Sequence, residues 1–317
     1  MAILECVPNF SEGRRPEVIG AIRDAVARSG PVQILDLSSD SDHNRSVLTL
    51  AGDPAALAAA VEALVAACVE RIDLNRHQGR HPRMGAVDVI PLTPIRGATM
   101  QDCVRLARSL GEAIARRHAI PVYLYEEAAS AEHRRDLAAI RKGEFEGFPA
   151  KIRDPLWKPD FGPDRVHPTA GCVAVGAREF LIAFNVNLAT GDLEVARAVA
   201  RAIRHSSGGL RFVKAMGVML ESRGLAQVSI NMTNFRGTPL HRVFEMVRSE
   251  AARHGVAIAG GEIVGLVPED ALLDAAAFYL RLQGFDAGRV LERRLEEVRP
   301  GASAPVHDGP GAQGGGR

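Results

Sequence analysis

Cysteine is scarce in this chain of 317 residues. There are four, Cys6, Cys68, Cys103 and Cys172, far apart and without paired spacing. That argues against a disulfide framework or a zinc ribbon and for reduced thiols in a cytoplasmic setting. Aromatic residues make up 5% of the chain, and 39 lysines and arginines face 38 acidic residues, for a net charge of +1. The basic excess of a nucleic-acid-binding protein is therefore missing. The first residues carry no basic stretch followed by a long apolar run, so no signal peptide is expected. The most apolar helical segment, residues 55–69, contains Glu62 and is too short to span a bilayer. There is no G-x-S-x-G elbow and no P-loop. The string from Gly171 to Gly176 lacks the third glycine and the following helix of a dinucleotide fingerprint. A cytoplasmic protein with neither nucleic-acid nor membrane partners is expected.

What is present suits a globular enzyme: 46% hydrophobic and 24% charged residues, in a length that fits one large domain or two. Strands are expected at 3–7, 32–37, 47–50 and 87–92. One helix opens at Pro16; another opens at Asp53-Pro54, which supply an N-cap and a first-turn proline. The order is βαββαβ, that of ferredoxin-like domains. Thr99 with Asp102 marks a further helix start, and 121–125 reads as a strand. Residues 126–168 are rich in charge, glycine and proline and read as a linker with one short helix near 136–141. Residues 171–176 read as a strand. From residue 180 the βαββαβ order repeats, followed by a last helix at 268–282 that covers a surface. The expected fold class is α/β (α+β), two ferredoxin-like subdomains in tandem. They divide as residues 1–170 and 171–298, with a disordered tail at 299–317 made of glycine, alanine, proline and glutamine.

The densest chemistry lies in residues 76–92, where His77 and His81 stand among Arg76, Arg80 and Arg83 just before a strand. Gly79 and Pro82 argue against a helix, so the i, i+4 histidine pair does not form a zinc site, even with His43, Asp36 or Asp88 to complete it. Cys6 and Cys172 sit in apolar strands and read as core. General acid–base work by histidine remains. His81 lies in a stiff cationic loop, where nearby positive charge lowers its pKa and keeps it neutral. Asp36 or Asp88 is available to orient the ring, and His77, His43 and His167 compete for the role.

Four strings together carry a resemblance: E-C-V-P-N-F-S-E-G at 5–13, H-P-R-M-G-A-V-D-V at 81–89, P-D-F-G-P at 159–163 and F-L-I-A-F-N-V-N-L at 180–188. Over residues 3–282 the chain resembles glutamate formimidoyltransferase, the formiminotransferase part of the bifunctional formiminotransferase–cyclodeaminases, in a stand-alone form without the cyclodeaminase. The resemblance implies two ferredoxin-like subdomains with a ligand cleft or tunnel between them. It implies His81 as the catalytic histidine and Gly162, Pro163, Asp164, Arg165, Val166, His167, Pro168, Thr169, Ala170 and Gly171 as the folate-binding segment. Phe161 beside that segment offers an aromatic face for a pterin or aminobenzoate ring, or else a core anchor. The chain departs from the animal form at Asp164, Arg165 and His167, and at Ser38, where an acidic residue is usual; Asp36 or Asp40 is available to replace it. The pair Asn44-Arg45 matches.

The substrates implied are N-formimidoyl-L-glutamate and tetrahydrofolate, the latter as co-substrate, with no metal or redox cofactor. Both ligands carry carboxylates, for which Arg80, Arg83 and Arg45 are the candidate clamps. Asn44, Asp36 and Asn9 are further substrate-binding candidates. A homodimer is compatible with this reading. Other readings are a different folate-dependent one-carbon enzyme, such as one processing 5-formyltetrahydrofolate, and a non-catalytic folate-binding protein.

Overall fold

The computed structural model describes residues 2–79 and 81–297. Arg80 and the expected tail at 299–317 lie outside the described residues. The chain packs as two compact units. One runs to Ala183 and includes Ile263–Leu266; the other comprises Phe184–Glu262 and the described residues from Val267.

The first unit opens with β1 (Ile3–Cys6) and β2 (Asn9–Phe10), then α1 (Pro16–Ala27), β3 (Gln33–Asp40), β4 (Arg45–Gly52), α2 (Pro54–Arg71) and β5 (Val87–Arg96). β1 and β2 both lie between β4 and β5, with β3 outside β4, which gives the antiparallel ferredoxin-like order. Local signals act where expected. The Asp53 side chain accepts from the N–H groups of Ala55 and Ala56, and Pro54 occupies the first turn of α2. Leu57, Val61, Leu64 and Cys68 recur at helical spacing and are fully buried under the sheet. The next helix, α3 (Met100–His118), begins with a complete capping box from Thr99 and Asp102.

β6 (Val122–Glu126) follows α3. The stretch read as a linker contains α4 (Leu137–Arg141) and a second helix, α5 (Glu144–Lys151). The expectation of one helix there is corrected: Gly143 and Gly147 lie before and within α5, and Pro149 lies inside it. Phe148 and Ile152, four residues apart and both buried, supply the packing that overrides these breakers. β7 (Val173–Ala177) then inserts between β5 and β6, parallel to both. Sequence order alone places this strand with the second subdomain; its pairing is with the first unit's sheet.

The second unit repeats the split order. It consists of β8 (Ile182–Leu188), α6 (Leu193–Ile203), β9 (Val213–Leu220), β10 (Leu225–Met232), α7 (Leu240–Arg253) and β11 (Ile258–Val264), in a sheet ordered β11-β8-β10-β9. Phe184, Val186 and Leu188 alternate with Asn185 and Asn187, so one sheet face joins the buried residues of α6 and α7 and the other is amide-rich. α8 (Glu269–Leu280) lies on α7, with Phe278 stacked 4.3 Å from His241, and α9 (Leu291–Glu297) follows. No helix among the described residues is long and apolar enough to cross a membrane.

Candidate active site

Three loops of the first unit meet at one end of the neighbouring strands β2, β4 and β5, inside the sheet. The loop after β2 is tied down by Ser11, whose Oγ donates to Gly85 O at 2.8 Å, and by Glu12. The Glu12 carboxylate is 3% exposed and accepts from the N–H groups of Arg14 and Arg15 and from the Arg15 side chain. Asn44, in the left-handed region at φ 49°, staples the other two. Its Oδ1 accepts from Gly13 N at 2.9 Å, and its Nδ2 donates to Gln78 O at 3.0 Å.

His81 stands where these loops converge. Its Nδ1 lies 2.7 Å from the carbonyl of Pro82, which can only accept, so Nδ1 carries the proton and Nε2 presents a lone pair. The Arg45 Nη1 sits against both ring nitrogens and presses closest on Nε2. The Arg45 Nη2 donates to Asn9 Oδ1 at 2.6 Å, and Asn9 is held in turn through its Nδ2 on Val7 O. Burial, then the fields of Arg45 and Arg141, lower the His81 pKa to about 4; Asp88 opposes them. The ring is therefore neutral across the physiological range. Burial also lowers Arg45, to about 10, leaving it a cation at neutral pH.

The other histidines have partners that fix them differently. His77 Nδ1 accepts from Arg83 Nε at 3.2 Å, so its Nε2 donates to Asn44 O at 2.8 Å, and both nitrogens are engaged. His167 Nδ1 accepts from the N–H groups of Thr169 and Ala170. His43 pairs with Asp40 at 3.0 Å and turns its ring edge toward His81, 6.1 Å between centroids. No three His, Cys, Asp or Glu side chains gather at metal-binding geometry among the described residues.

The carboxylates fall elsewhere than expected. Asp88, 2% exposed, accepts from Met84 N at 2.9 Å and pairs with Arg141 at 2.6 Å. Asp36 lies opposite Thr49 in the β3–β4 register. The ring of His81 is oriented by a carbonyl and a guanidinium instead. Arg83, expected as a clamp, is held by two carboxylates of its own chain: Glu146 bidentately at 2.8 and 2.6 Å, and Glu144 at 3.3 Å. Sequence reasoning missed Arg141, Glu144 and Glu146, all in the stretch read as a linker. The i, i+4 spacing of the apolar residues Phe148 and Ile152 was the one available signal, and it marks a helix face without showing what that face packs on. The same hairpin donates Phe145 N to Arg83 O at 2.9 Å, and Lys151 Nζ locks it by donating to the carbonyls of Ala139 and Ile140, 2.6 Å each.

The segment from Phe161 to Gly171 borders the same loop. Asp160 anchors its start, accepting from Leu124 N and pairing with the nearly buried Arg134 at 3.0 Å. Phe161 packs partly buried against Gly111 of α3, where a Cβ would lie 3.0 Å from the ring. Gly162 has φ +93°, Pro163 follows half-buried, and Asp164 and Arg165 are exposed. Thr169 O accepts from Leu74 N, Pro168 O from Asn75 Nδ2 and Ala170 O from Ala86 N. Gly171, at φ +69°, crosses Gly85 so closely that a Cβ on it would lie 2.2 Å from Met84 O. Val166, His167 and Pro168 line a cavity of about 570 Å³, faced by His77, Gln78 and Asn75 and by Phe145, Glu146 and Pro149 of α5.

The formiminotransferase domain model for the N-terminal subdomain matches residues 3–178, and the formiminotransferase domain model matches residues 183–291. The chain is 50% identical to a glutamate formimidoyltransferase of Thermoplasma acidophilum, covering 94% of this chain and 99% of that one. It is 48% identical to a glutamate formimidoyltransferase of Streptococcus pyogenes serotype M1, covering 92% and 98%. Against the formimidoyltransferase-cyclodeaminase of Sus scrofa the identity is 45%, over 87% of this chain and 52% of the relative.

Proposed function

Because the chain belongs to the formiminotransferase family, we propose that it transfers the formimidoyl group of N-formimidoyl-L-glutamate to N5 of tetrahydrofolate, releasing 5-formimidoyltetrahydrofolate and L-glutamate. The observation that carries this reading is the likeness to glutamate formimidoyltransferases along nearly the whole of both chains.

The geometry of the first unit supports roles for its residues. His81 is the base: neutral, with its lone pair on Nε2, it takes the N5 proton as N5 attacks the amidine carbon. The tetrahedral centre then collapses. The bond from carbon to the glutamate nitrogen breaks, and His81 returns the proton to that nitrogen. Arg45 covers Nε2 in this structure. A substrate carboxylate draws the guanidinium onto itself and frees the lone pair, so binding of the donor readies the base. Asn9 aims Arg45, Asn44 holds the loops, and Arg83 with Glu146 fixes the loop on which His81 rides. Asp36 and Arg80 remain substrate-binding candidates. Folate lies along 161–171, and the cavity beside Val166 and Pro168 has the volume of an ordinary small-molecule site. Two ordered ligands held together supply much of the rate by proximity. No step calls for a metal.

A spectrophotometric assay tests the reading. Purified protein with both substrates is expected to form 5-formimidoyltetrahydrofolate, and to form none when either is left out. No product with both present would overturn it.

A further inference from the structure

Arg141 has no contact in the account above beyond its pair with Asp88, though its field reaches His81. That pair explains only part of it. Nη2 donates to Asp88 at 2.6 Å, yet Nε of Arg141 is buried and without a hydrogen-bond partner among the described residues, and so is Nε of Arg45. Buried donors are ordinarily satisfied, so each of these guanidiniums has an edge that calls for an acceptor, and the fields of both reach His81. The charges agree. Arg45 and Arg141 are two cations, Asp88 is one anion, and His81 is neutral, so this partly buried cluster holds a positive excess. An excess cation out of water is costly unless an anion joins it.

We infer that Arg141 acts with Arg45 to bind the α-carboxylate of the amino-acid substrate, and of the glutamate released from it. The inference rests on the transfer reading. The carboxylate in question is the one fixed by connectivity. The formimidoyl group sits on the α-nitrogen, two bonds from the α-carboxyl carbon. The γ-carboxylate lies two methylenes further off. Whichever group serves that nitrogen has the α-carboxylate beside it, and the groups beside His81 are Arg45 and, through Asp88, Arg141. This assigns to Arg141 the contact that the loop arginine Arg83 is not free to make, because Glu146 and Glu144 already hold it.

The test is calorimetric binding of L-glutamate, its α-amide and its γ-amide to the full chain and to Arg141→Gln, with the transfer assay run alongside. The wild-type protein is expected to bind glutamate about 10- to 150-fold more tightly than the α-amide, the range for one charge-assisted contact. Arg141→Gln weakens glutamate by a similar factor and shrinks the α-amide discrimination, while the γ-amide penalty stays as in wild type. Folate binding by each protein reports that the site is folded. An Arg141→Gln protein that loses acid and α-amide equally would mean that Arg141 only props Asp88, and the inference fails. It fails too if Arg141 removes the γ-amide discrimination, or if the wild type does not distinguish the α-amide, a result that needs no variant. Arg141-dependent glutamate binding without transfer would sink the transfer reading and leave the carboxylate site standing. Transfer with unchanged discrimination would do the reverse.

Discussion

At the scale of single residues, His81 and His77 share one loop, and each follows an arginine, so local chemistry alone leaves them as competitors. Their partners separate them. His77 has both nitrogens engaged, whereas His81 donates from Nδ1 and meets only a displaceable guanidinium at Nε2. His81→Ala is expected to lower kcat by about 10² to 10⁴-fold while folate binding persists, and near-normal turnover would rule out the base. The pH dependence follows from the lowered pKa. With a folded value of about 4, His81 keeps its lone pair above that pH, so kcat/KM should fall only as pH drops through about 4. An acid limb near 6.5 belonging to His81 would contradict this. The same shift ties stability to pH. The unfolded chain binds this proton more readily, so the stabilisation is complete above about 6.5 and is lost as pH falls from there through about 4. Chelation by EDTA should leave activity unchanged, because the Arg45 guanidinium already covers His81 Nε2 and Arg141 adds positive charge nearby, which disfavours a metal cation there. Activity lost on chelation and restored by zinc would count against that.

At the scale of elements, α5 is the part that the sequence hid; α4 falls where the one short helix near 136–141 was expected. Gly143, Gly147 and Pro149 read as breakers, and no local rule reveals that Phe148 lies in a core pocket beside Tyr123, 5.6 Å away. The capped helices α2 and α3 were legible for the opposite reason: Asp53-Pro54 and Thr99 with Asp102 are local devices, complete within four residues. The hairpin clasps the His81 loop through Glu146 to Arg83 and Arg141 to Asp88. Arg83→Ala should therefore lower kcat/KM for both substrates together, by roughly 10-fold or more through misplacement of His81. A rise confined to the KM for formimidoylglutamate would mean that Arg83 leaves its glutamates to bind substrate. The segment 159–171 is a second element whose role is testable by exchange. Saturating folate should slow amide exchange there, and exchange left unchanged would place folate elsewhere.

At the scale of the whole molecule, the two split βαββαβ units were readable from alternating apolar residues and turn signals, because each strand shows one face to a buried layer. The placement of β7 was not. Its pairing with β5 and β6 is parallel and long-range, and apolar residues at 173–177 suit either unit's sheet. What holds β7 in place is a backbone crossing. Met84 O accepts from Cys172 N at 2.9 Å, Ala86 N donates to Ala170 O, and Gly85 and Gly171 pass with no room for a Cβ. Gly171→Ala adds that carbon at positive φ against Met84 O. It should cost on the order of 1–3 kcal/mol, a drop of several degrees in Tm read by circular dichroism, and an unchanged Tm would refute the crossing. The crossing also sets an order of assembly. The His81 loop is synthesised well before the strand that anchors it, and closing so distant a contact is slow. A nascent chain halted short of Gly171 holds every residue of that loop and lacks the segment that fixes it. Competence to bind folate should therefore arise late in translation, when β7 has left the ribosome and slid between its neighbours.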